Sequence, residues 1–223
     1  MNDPAFPHQR VRVWDIPTRF AHWAIVALFA LCWWTSKSDR MKWHGIAGYC
    51  LFAVVLFRLG WGVVGSDTAR FANFVRSPAV IVKYARTLTR PSKNPAVGHN
   101  PMGGWSVLLM LGLLLAQTVV GLFSVDVDAL SSGPLARWVS FDVGRTAAHW
   151  HANIFYASLA LIGLHLAAIS FYGLVLRQNL LSPMLHGYTV GKPSQKGLYF
   201  APLWHAMVFA ALAAFLVTML ANA

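Results

Sequence analysis

Four histidines of this chain sit where an imidazole has no water to rely on. His22, His44, His151 and His165 fall inside or at the mouths of strongly apolar runs, and a titratable ring in hydrocarbon is costly unless it bonds to something. The densest case is HWHANIFYASLALIGLHLAAISFYG, His149 to Gly173, which is apolar enough for lipid yet carries three histidines. His151 and His165 are fourteen residues apart. As helix that is ~21 Å of rise, and fourteen steps fall only ~40° short of whole turns, so both rings leave one face at two depths. His149 lies ~160° around the helix from His165 and belongs to another face, as an interfacial or packing residue.

The elements that must hold these rings follow from composition. With 57% hydrophobic and only 11% charged residues among 223, the chain falls in the integral membrane class. A hydrocarbon core takes about 20 apolar residues as helix. Five runs qualify: Phe20–Thr35, Trp43–Val64, Pro101–Val125, Ala147–Leu176 and Leu198–Leu220. No small-x-small cleavage site follows the first, so it is expected to remain as a helix rather than leave as a signal peptide. Cys32 and Cys50 lie inside runs without a CxxC or CxxCH, which excludes covalent c-type haem and a cysteine-ligated iron–sulfur cluster.

The net charge of +11 has a simpler use than nucleic-acid binding. Twelve Lys and Arg flank the spans on one side: Arg10, Arg12 and Arg19; Arg70, Arg76, Lys83, Arg86, Arg90 and Lys93; Arg177, Lys192 and Lys196. Lys37, Arg40, Lys42, Arg137 and Arg145 make five on the other. The positive-inside rule therefore puts the N-terminus in the cytoplasm and the C-terminus, after five spans, outside. In the long basic loop, SPAVIVKYARTLTR has Ser77 to cap and Pro78 to begin a short amphipathic helix on anionic headgroups, ended by PSKNP at 91–95. Tryptophans 14, 33, 34, 43, 105, 138, 150 and 204 lie near span ends, as in an aromatic belt.

This topology sorts the histidines by depth. His22 and His165 share the inner level, and His44 and His151 the outer one. Any one alone is satisfied by a hydrogen bond to a neighbouring helix. Four, in two pairs of matched depth and face, suggest two six-coordinate haems, each iron taking an imidazole from either side. Gly48, one turn from His44, lets a flat ring come close. Arg58, fourteen residues after His44, and Arg19, one turn before His22, are candidates for the inner propionates. A transported metal such as zinc competes less well, because two histidines per level without nearby Asp, Glu or Cys make a poor complete site. His99 in GHNPMGG is a loop hydrogen-bonder or part of a quinone pocket, and His205 is a packing residue near the start of the fifth span.

VWDIPTRFAHW, WHGIAGYCLFAVVLFRLGWGVVG, ARFANFVRSP, GHNPMGG and HANIFYASLALIGLH together resemble the bacterial cytochrome b561 group, in particular the b-type cytochrome subunit of nickel–iron hydrogenases, over about residues 11–188. The resemblance implies an all-α membrane bundle, four helices around two non-covalent haem b groups, that passes electrons between the quinone pool and a redox partner. It also implies His22, His44, His151 and His165 as the iron ligands. The fifth span departs from the plain four-helix pattern, so residues 1–188 are expected to form the di-haem core and 189–223 a linker and fifth span. A periplasmic hydrogenase, c-type cytochrome or molybdenum enzyme would suit as partner, and a homodimer is compatible. The rivals are a stand-alone superoxide:quinone oxidoreductase, steered by a funnel of Lys37, Arg40, Lys42 and Arg145, and a haem-free metal or proton transporter.

Overall fold

The computed structural model describes residues 9–88, 98–128, 131–191 and 197–222. Five helices are long and apolar enough to cross a membrane: α1 (Ile16–Lys37), α2 (Met41–Val64), α5 (Pro101–Phe123), α6 (Phe141–Leu174) and α8 (Leu203–Ala221). Between them lie short helices α3 (Phe71–Phe74), α4 (Pro78–Arg86) and α7 (Leu181–His186), and strands β1 (Gln9–Arg12) and β2 (Tyr188–Gly191). Helix is forced here because lipid offers backbone N–H and C=O no partners. What the sequence adds is the caps.

Asp15 begins α1 by accepting the Thr18 N–H at 2.7 Å, with Pro17 in the first turn. Asn100 does the same for α5 through Gly103 N–H, also at 2.7 Å, with Pro101 next to it. Asp39, in the left-handed region at φ 54°, turns the chain between α1 and α2, a conformation Asp tolerates better than most residues. The Asp15 cap explains why α1 begins ahead of its expected start at Phe20.

Packing runs through two helix hairpins, α1 with α2 and α5 with α6, and α2 also packs on α5 and α8. Leu51, Val55 and Leu114 fill the space between α1, α2 and α5, while Phe57, Trp61, Ala206 and Ala213 join α2 to α8. Helix α6 is different. Among the described residues its one extensive backbone neighbour is α5, and 6% of its most apolar window is buried against 44% for α2. Towards α1 it is held by side chains alone: Phe155 stacks on Phe29 at 5.8 Å and tilts against Trp33 at 5.9 Å. Along the bundle, His44 and His151 lie to one side of that aromatic contact and His22 and His165 to the other.

The fifth span begins at Leu203, later than Leu198, because the preceding residues are held extended. Tyr199 N–H donates to Asp67 Oδ2 (2.8 Å), Asp67 N–H to the Tyr199 carbonyl (3.0 Å), and Ala201 N–H to Ser66 Oγ (3.1 Å). The β1/β2 pair, which the sequence did not announce, joins Gln9–Arg12 to Tyr188–Gly191 in antiparallel register across the 188/189 boundary. The amphipathic helix forms as α4 after Ser77, though no side-chain cap bond is made, and PSKNP lies outside the described residues. Trp14 is no belt residue: it is buried at 7% exposure.

Candidate cofactor sites

At the α1/α2 turn end of the bundle, His44 and His151 face each other with ring centroids 6.0 Å apart and planes at 79°. His44 Nδ1 lies 2.9 Å from the Cys32 carbonyl, and His151 Nδ1 2.9 Å from the Gln117 carbonyl. A carbonyl can only accept, so both Nδ1 atoms carry the proton and both Nε2 lone pairs are left free, the tautomer a metal ligand needs. Two imidazoles at that separation, each with its Nε2 lone pair free, would suit the donor set of a bis-histidine haem.

Glycines make the room. A Cβ at Gly45 or Gly48 would meet nothing within 4 Å, so the α2 backbone borders open space. Gly121 plays a part that sequence reasoning missed: a Cβ there would come within 3.0 Å of His151 Cε1 and 3.2 Å of Nδ1. Any larger residue would press the ring away from its bond to Gln117 by a few tenths of an ångström. Nothing local in TVVGLF marks this, because the partner is on another helix.

His22 and His165 come together at the basic end, within electrostatic reach of each other. His22 Nδ1 is sealed from solvent and has no hydrogen-bond partner. That orphaned polar atom belongs to the second of the two depths read from the sequence. Two imidazoles per level, with no group of three or more His, Cys, Asp or Glu converging among the described residues, match the donor set of a bis-histidine haem better than that of a closed metal site.

Arg58 and Arg19 belong to the same end. Arg58 is buried, donates to the Ala69 carbonyl (3.4 Å), lies 5.4 Å from the Phe71 ring centre and is within electrostatic reach of Asp15. Asp15, which sequence reasoning missed, accepts from Thr18 N–H and from Trp61 Nε1 (2.9 Å), fixing α1 to α2. Arg19 donates to the Leu185 carbonyl and so helps dock α7 on α1. His99 stands against Trp14 (4.7 Å) and Phe74 (4.3 Å) and lines a cavity of about 580 Å³ with Asp67, Thr68, Asn73 and Arg76. Burial pushes its pKa down to about 3, and the Arg58 charge pushes the same way. His149 is exposed, and His205 Nδ1 is buried without a partner.

A family model described as prokaryotic cytochrome b561 matches residues 13–187, from β1's neighbour to the end of α7. The chain belongs to the prokaryotic cytochrome b561 family. No curated protein and no solved structure matches it. As a cytochrome b561 it is a multi-pass bacterial membrane protein that binds haem b and takes part in electron transfer. In this cytochrome α8 is the span that lies beyond the family match.

Proposed function

We propose that this cytochrome b561 holds two haem b groups, one between His44 and His151 and one between His22 and His165, and carries electrons between membrane quinone and a redox partner. The observation that carries the reading is the His44/His151 pair, with facing rings 6.0 Å apart and each Nδ1 tied to a main-chain carbonyl. Bound haem supplies one-electron exchange. The chain's own residues do the rest: the histidines orient and hold, Phe29 and Phe155 stack between the two levels, and the apolar helices exclude water. Gly48 gives the outer macrocycle its clearance, and Arg19 and Arg58 put positive charge at the inner level for propionates.

The basic end faces the cytoplasm and the His44/His151 end the periplasm, where a hydrogenase, a c-type cytochrome or a molybdenum enzyme docks. Quinone is exchanged at the inner level. Residues 1–188 form the di-haem core, with 189–223 as linker and fifth span. A stand-alone superoxide:quinone oxidoreductase draws less support. Arg40 lies over Trp34 (5.7 Å) and Arg145 donates to the Val125 carbonyl (2.9 Å), so two of the four cations of the expected funnel are committed locally.

The test is a reduced-minus-oxidised spectrum of the purified protein with a haem count per chain. Two b-type haems are expected, one of which disappears in His165→Ala while the other stays. A colourless protein, or loss of neither haem, sinks the reading.

A further inference from the structure

The two histidine pairs differ in what stands behind them. His44 and His151 each donate Nδ1–H to a carbonyl, of Cys32 and of Gln117, at 2.9 Å. His22 Nδ1 has no partner, and among the described residues the His165 ring makes no hydrogen bond either. A bond from Nδ1–H to a carbonyl makes the opposite nitrogen a stronger electron donor. A stronger donor favours the oxidised metal and lowers its potential.

Resting on the di-haem reading above, we infer that the His44/His151 site is the lower-potential of the two, because its ligands are backed by main-chain hydrogen bonds that the His22/His165 site lacks. Gly121 is the positioning residue for this difference, since any Cβ there presses on His151 Cε1 and Nδ1. One electron passing from the His44/His151 level to the His22/His165 level then runs downhill. No proton moves at any of the four histidines.

Redox titration of the purified full-length protein, followed at the α band and by low-temperature electron paramagnetic resonance, tests this directly. The haem that survives in His165→Ala is expected to carry the lower of the two wild-type midpoints. Gly121→Ala should raise that lower midpoint and leave the higher one in place, with a changed ferric signal for one haem only. Should Gly121→Ala fail to fold or load, Thr35→Val serves instead. Thr35 Oγ1 donates to the Leu31 carbonyl (2.6 Å) and shares the Cys32 carbonyl (3.1 Å) with His44, so its removal strengthens the acceptor and shifts the lower midpoint further down. The inference is overturned if the survivor in His165→Ala has the higher midpoint, if Gly121→Ala moves the other haem or neither, or if Thr35→Val leaves the lower midpoint unmoved or raises it. A protein that binds no haem overturns the parent reading together with this one, whereas two haems in reversed order overturn this one alone.

Discussion

At Asp15 one carboxylate does three jobs: it caps α1, accepts the indole N–H of Trp61 and supplies negative charge to buried Arg58. Losing a cap costs about 1 kcal/mol, and leaving a buried donor unpaired costs about 1–3 kcal/mol more. Asp15→Ala is therefore expected to lower the thermal midpoint in detergent markedly, and Asp15→Asn, which keeps one of the two acceptor oxygens but neither the second nor the charge, by less. Equal losses in the two variants would show that the retained oxygen contributes nothing. His99 makes a prediction about pH. Its folded pKa is pushed down to about 3 by burial, against an unfolded value of about 6.5. Between these values the unfolded chain takes up a proton that the folded chain refuses, so stability should fall as pH drops from about 6.5 towards 3. His99→Phe should flatten the dependence of thermal midpoint on pH over that window; an unchanged slope would remove His99 as its cause.

The spans were readable from sequence because lipid leaves the backbone so little choice, and the two depths of His151 and His165 because a helix has a fixed pitch. What escaped depends on partners distant in the chain. The β1/β2 pair joins four residues to four others across the whole four-span bundle. The roles of Gly121 and Trp14 appear only when His151 and His99 come beside them. Helix α8 is a similar case, since its docking rests on Gly60, where a Cβ would come within 2.7 Å of Phe209 Cδ1. Gly60→Leu is expected to push α8 off α2 and lower the thermal midpoint. None of the four histidines is on α8, and His44 is at the other end of α2 from Gly60, so the haem spectrum and haem count should not change. Loss of a haem in Gly60→Leu would mean that the fifth span is part of the cofactor-binding core.

Orientation is a property of the whole molecule, and the charge balance read from the sequence supports the one proposed. Of the eighteen Lys and Arg residues, twelve flank the spans at the end that holds His22 and His165, five flank the other, and Arg58 is inside α2. Basic residues close to span ends resist translocation, which is the ground for the proposal that the richer end stays in the cytoplasm. The same end carries the ordered cap of β1, β2 and the Ser66–Asp67 contacts to Tyr199 and Ala201, which would have to form after insertion on whichever side it lies. Single cysteines report the side directly once Cys32 and Cys50 are replaced by Ala. Lys83→Cys, on α4, should be shielded from a membrane-impermeant maleimide in intact spheroplasts and react after lysis. Asp126→Cys, beyond the end of α5, should react in both. Labelling of Lys83→Cys in intact cells would invert the molecule and bring the His22/His165 pair to the periplasmic side, and with it the quinone and partner surfaces would exchange places.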